Sequence, residues 1–152
     1  MNDDDHIAEN LDLACNAFPE SFSQRESALV EEAAAEFRRV MKVGCTGCQY
    51  CMPCPAGVNI PSCFEWYNSR HAFKDKRAKM MYLFQNGGMV TEKQSLASRC
   101  VDCGKCLEKC PQSLPIPDLL DDVAKDMEGW MSKPIIWIGK RMMKTRKKKK
   151  AA

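Results

Sequence analysis

No apolar run in this 152-residue sequence approaches the roughly 18 residues that a membrane-crossing helix needs. The longest, Ile-Ile-Trp-Ile at 135–138, falls far short. The opening, MNDDDHIAENLDLA, is acidic and lacks the apolar segment of a secretory signal, so a soluble chain in the reducing cytoplasm is expected. Histidine is scarce: His6 and His71 are the two, and neither stands beside a plausible nucleophile, so both are expected at the surface. From Lys133 onward there is no acid. That end carries nine Lys or Arg, leaving 14 basic and 20 acidic residues in 1–132, so a body of −6 underlies the whole-chain charge of +3.

What is abundant is cysteine, ten residues in a chain whose length suits one small domain with appendages. Eight of the ten lie in two runs, CTGCQYCMPCP at 45–55 and CVDCGKCLEKCP at 100–111. Each contains C-x2-C-x2-C followed by a fourth cysteine and a proline, after two intervening residues in the first run and three in the second. Three thiolates at steps of three wrap one loop around a face of an iron-sulfur cube but do not easily reach its fourth corner. In the bacterial run of this kind the fourth cysteine, set apart and followed by proline, ligates the other cluster of a pair.

The expected ligand sets are therefore crossed. One 4Fe-4S cluster takes Cys45, Cys48, Cys51 and Cys110; the other takes Cys100, Cys103, Cys106 and Cys54, with Pro55 turning the chain so that Cys54 faces the partner cube. Two four-cysteine zinc sites are the alternative, although zinc motifs usually split their ligands into separate pairs. Disulfides are a third reading. Cys15 and Cys63 lie outside the runs and are expected to be small buried apolar residues.

The two runs belong to a repeat. CPAGVNIPSCF from Cys54 and CPQSLPIPDLL from Cys110 align as C-P-x-x-apolar-x-I-P, which predicts two equivalent sites, each followed by a helix begun by its proline. The periodicity predicts an all-α protein. A short helix carries Ile7, Leu11 and Ala14. A second, over about 25–42, opens on a capping box of Ser23 and Glu26, presents an apolar stripe through Leu29, Ala33, Phe37 and Val40, and closes at Gly44. A continuous helix is expected from Pro61 to the NGG at 86–88, a helical approach through 91–98, and a last core helix from Pro117 to about Trp130. Trp66, Tyr67, Met80, Met81 and Phe84 are expected to pack around the clusters, with Tyr50 packed inside its loop. The expected divisions are an N-terminal helical segment, 1–43; a dicluster domain, 44–132; and a mobile basic tail, 133–152.

CTGCQYCMPCPAGVNIP together with CVDCGKCLEKCPQSLPIP resembles the C-terminal iron-sulfur extension of a bacterial and archaeal branch of the aldo-keto reductases, over roughly 1–130. The shorter first run is usual in that branch. The resemblance implies an α-helical ferredoxin-like dicluster domain that transfers electrons. It also implies that HIAEN matches the start of the last barrel helix, where a Glu-Asn pair, here Glu9 and Asn10, contacts the adenine of NADP(H). An Arg commonly stands three residues before that pair; here the position is His6. The barrel and its Asp, Tyr, Lys and His tetrad would lie upstream of Met1, so the chain looks like the tail of such a reductase, with no catalytic residues of its own. Its partner would be an aldo-keto-reductase-like barrel or another redox protein. A third reading makes the clusters structural and the tail the working part. The lysine-rich end lies outside the family pattern: it is either a solvated run, an attachment to an anionic membrane surface with Ile-Ile-Trp-Ile as its apolar part, or a polyanion-binding segment. Nucleic acid is the least favoured of these, because no recognition motif accompanies the charge.

Overall fold

The computed structural model describes residues 3–19 and 21–150, with side chains in the last helix described as far as Met143. Six α-helices and no strand occur among the described residues: α1 Asp4–Asn16, α2 Gln24–Val40, α3 Ile60–Ala72, α4 Ala78–Asn86, α5 Ile116–Met127 and α6 Ser132–Lys150. The all-α expectation holds. The chain divides into two compact units, Met1–Phe37 and Arg38–Ala152, with the boundary near the end of α2.

In the first unit, α1 is started by Asp3, whose side chain accepts from the Asp5 amide. The Ser23–Glu26 box forms as expected: the Ser23 amide donates to Glu26 Oε2 at 2.8 Å and the Glu26 amide to Ser23 Oγ at 3.3 Å. That hydroxyl and amide hold the Glu26 carboxyl below its ordinary range. Neither α1 nor α2 contains a buried residue. Leu29 and Phe37 are exposed, and Ala34 and Val40 are only half-buried. The expected stripe exists as a pattern, but the described residues bury none of it. α2 also ends at Val40, ahead of Gly44, because the Val43 amide and carbonyl turn instead to the Asn68 side chain, at 2.9 and 2.7 Å.

The second unit has one core. α5 contributes Ile116, Leu120, Val123 and Met127, at helical spacing; α3 adds Ile60, Cys63 and Phe64, and α4 adds Tyr82 and Leu83. Pro61 and Pro117 each stand in the first turn of their helix, as the repeat predicts. The continuous helix expected over 61–85 is broken. Ser69 O accepts from the Phe73 and Asp75 amides, Lys74 takes φ 51°, and Asp75 Oδ1 accepts from the Arg77 amide to start α4. A straight helix would carry Tyr82 and Leu83 away from Phe64; the break folds α4 back, so that Asn86 Nδ2 donates to Ser62 Oγ at 3.2 Å.

The stretch 91–98 is not a helix but a bend ending in a single 3-10 turn, Ala97–Arg99. Ser95 explains this: its amide donates to Asn86 O and its carbonyl accepts from the Asn59 amide, bonds that a helix would have consumed. α5 stops at Met127, three residues before Trp130. Where a mobile tail is expected from 133, α6 forms instead, with Pro134 in its first turn and Ile136 buried against the core. A Cβ placed on Gly87 would lie 2.8 Å from Ile136 Cγ1, so the hairpin and α6 meet closely there.

Candidate metal centres

The repeat is written into the backbone of the cysteine loops. Gly47 and Gln49 in the first run adopt φ 69° and 66°; Asp102 and Gly104, in the same places of the second, adopt 51° and 72°. Beyond the fourth cysteines, Gly57 at 77° pairs with Ser113 at 50°. Each pair contains a glycine, the residue with no steric penalty in the left-handed region. Turn hydrogen bonds repeat as well: Met52 to Gln49 corresponds to Leu107 to Gly104, and Gly57 to Cys54 corresponds to Ser113 to Cys110. Two loops of the same shape each lead into a proline-started helix.

These loops are tied to each other and to the core. Arg99 Nε donates across to Ala56 O at 3.2 Å, joining the approach to Cys100 to the segment just after Cys54. Tyr82, fully buried, accepts from the Ala97 amide at 2.9 Å and donates to Glu128 Oε1 at 2.5 Å. Burial, with Cys63 and Glu128 nearby, pushes its phenol far up, so it stays neutral. Glu128 also accepts from the Ser98 amide and hydroxyl, which fixes the turn before Cys100. No sequence signal marked Arg99, Asn68, Tyr82 or Glu128, because each acts across a separation that spacing does not encode.

Two cavities result. The first, of about 250 Å³, is lined by Cys51, Cys54, Cys100, Cys103 and Cys106, together with Ile60, Pro117 and Leu120. The second is narrower, about 20 Å³, and is lined by Cys45, Cys48, Cys51 and Cys110 with Phe64, Leu114 and Ile116. Cys51 and Ile60 border both, so the cavities are neighbours. Burial pushes the Cys51 thiol up, with Cys45, Cys106 and Cys48 adding to the shift. Burial does the same to Cys106, with Cys100, Cys103 and Cys54 adding. Among the described residues no three His, Cys, Asp or Glu side chains are arranged around a single ion; the cysteine sets ring a space instead. The donor chemistry, four soft sulfurs per set against apolar walls, fits an iron-sulfur group.

The other expected residues fare unevenly. Cys63 is fully buried as expected, with burial pushing its thiol up to about 12; Cys15 is exposed on α1, because no core covers that helix. Iodoacetamide near neutral pH is therefore expected to alkylate Cys15 at least about a hundredfold faster than Cys63, as peptide mass mapping would show. Tyr50 is 66% exposed, and Met80, Met81 and Phe84 also face outward, so none of these four packs around the cavities. Trp66 and Tyr67 do pack on the core. His71 is half-buried, not a free surface residue: its Nε2 lies 3.0 Å from Asp126 Oδ2, with Arg70 on the same oxygen and the Tyr67 ring at its edge. His6, Glu9 and Asn10 lie exposed on α1, where Asn10 Nδ2 donates to His6 O.

Neither the comparison with curated proteins nor that with solved structures gives a match. Residues 44–114, which contain both cysteine runs, match the family model of the 4Fe-4S dicluster domain, a match that supports a ferredoxin-like dicluster domain in this stretch and an iron-sulfur electron-transfer role.

Proposed function

We infer that the chain passes single electrons through two 4Fe-4S clusters held by crossed ligand sets: Cys45, Cys48, Cys51 and Cys110 for one, Cys100, Cys103, Cys106 and Cys54 for the other. The observation that carries this reading is the lining of the two cavities: Cys45, Cys48 and Cys51 meet Cys110 in one, and Cys100, Cys103 and Cys106 meet Cys54, together with Cys51, in the other. A bound cluster of this type takes up and gives back one electron. The protein's own part is to fix the thiolates, supply amides near sulfur and limit water. The Gly47 amide donates to Cys45 Sγ at 3.4 Å, and the walls built by Ile60, Phe64 and Leu120 keep the site largely apolar. The common border at Cys51 and Ile60 favours electron exchange between the sites. Electron paramagnetic resonance of the anaerobic protein, taken through a cycle of reduction and reoxidation, should show signals that appear and vanish reversibly. Clusters that never cycle would support the structural-staple reading instead.

A second reading is favoured by α1 and α2, which contain no buried residue and expose Leu11, Leu13, Leu29 and Phe37. A barrel subunit of the aldo-keto reductase kind covering these helices would account for them, with Glu9 and Asn10 completing an NADP(H) site. That reading requires Glu9→Ala or Asn10→Ala to lower cofactor affinity and turnover of the assembled pair; unchanged kinetics would dismiss it.

A further inference from the structure

α6 is two-faced in a way its sequence alone does not display. Toward the core it turns Ser132 and Ile136, which are buried, and Ile135, which is half-buried. Gly139 lies on the same side, where an added Cβ would come within 3.3 Å of three atoms of Met89. The exposed positions are 133, 134, 137, 138, 141 and 142, recurring one helical turn apart along the opposite side. On that side Trp137, Ile138 and Met142 are 64%, 50% and 60% exposed, and the Arg141 guanidinium lies 5.9 Å from the Trp137 ring centroid. Three large apolar side chains in line on an exposed face are unusual for a helix already packed on its other side. The sequence that follows adds six Lys or Arg within 144–150 and no acid.

We propose that this face of α6 lies on an anionic lipid surface, with Trp137, Ile138 and Met142 entering the headgroup boundary and the basic residues drawn to the lipid phosphates. Charge complementarity selects the occupant: nine cations without one acid from Lys133 on, in a chain whose remainder is −6. The apolar side chains separate a bilayer from a merely polyanionic partner, because a nucleic acid or acidic peptide gains little from aligned Trp, Ile and Met. Tryptophan is the side chain best suited to the boundary itself. No helix among the described residues is long and apolar enough to cross a membrane, so the attachment is a surface one. Because Ile136 anchors the start of α6 to the dicluster core, the cysteine sites would be held in one orientation to the lipid. The inference does not depend on what the cysteines bind.

The test is sedimentation of the full chain with vesicles of phosphatidylcholine, with and without phosphatidylserine. Binding should be at least tenfold stronger when phosphatidylserine is present. The double variant Trp137→Ser, Ile138→Ser should lose at least tenfold of that binding while keeping its circular dichroism, since both positions are exposed. The same variant should bind heparin as wild type does. In addition, tryptophan fluorescence of the wild type should shift to the blue on vesicles and be quenched by brominated lipid, and Trp137→Phe should remove most of the quenching. Failure to bind phosphatidylserine vesicles overturns the proposal. So does a double variant that binds them undiminished, which would leave a charge-only polyanion contact.

Discussion

Cys110→Ser is expected to empty the site formed by the first cysteine run while leaving the second occupied. Cys110 lines the cavity of Cys45, Cys48 and Cys51, although its neighbours in sequence, Cys103 and Cys106, line the other. On the crossed ligation proposed, removing it would take one of four thiolates from a cube whose other three ligands sit on one loop, and an alcohol is a poor ligand for iron at neutral pH. Iron content should fall from about eight to about four atoms per chain. Because assembly of such a site and folding are coupled, the loop at 45–54 should lose protection against proteolysis with it. Cys54→Ser should produce the mirror result, stripping the site of Cys100, Cys103 and Cys106. Placing the loss requires a second observation: with Cys110→Ser, alkylation should reach Cys45 and Cys48 and spare Cys100 and Cys103. Loss confined to the loop nearest in sequence would refute crossed ligation.

Tyr82→Phe should carry the largest cost among changes outside the cysteines that leave core volume nearly intact. The ring stays, so no cavity opens, but the Ala97 amide loses its acceptor and Glu128 loses one donor. Leaving a buried amide unpaired costs about 1–3 kcal/mol. The damage is directed, because Ala97–Arg99 is the turn that delivers Cys100, and Ser98 and Arg99 hold it to Glu128 and Ala56. Iron release to a chelator should therefore become biphasic, the site containing Cys100 emptying several-fold faster while the other keeps its wild-type rate. Equal acceleration of both would show that Tyr82 acts only through global stability.

The parts legible in sequence were those set by local spacing. C-x2-C-x2-C followed by Cys-Pro gave the loops, and the prolines seven residues beyond Cys54 and Cys110 gave the starts of α3 and α5. Ser23 and Glu26 gave the start of α2. What spacing could not show was how segments return on one another. The reversal at Lys74 is made by Asp75 and the Ser69 carbonyl in a stretch whose composition reads as helix, and it is chosen because Tyr82 must meet Ala97 and Glu128 in the core. The bend at 91–96 has the same origin: the Ser95 backbone is committed to Asn59 and Asn86. For α6, the charge run masks a core-facing side made by Ser132, Ile136 and Gly139, of which Ile136 lies against Gly87. In α1 and α2 helical spacing shows where the apolar stripes lie but not whether they are covered, and neither helix contains a buried residue.

The most direct test of the account is the iron, zinc and acid-labile sulfide content of the chain purified without oxygen. Two 4Fe-4S clusters require about eight iron and about eight sulfide per polypeptide, a brown colour, and negligible zinc. A colourless protein with about two zinc ions and no labile sulfide would contradict it.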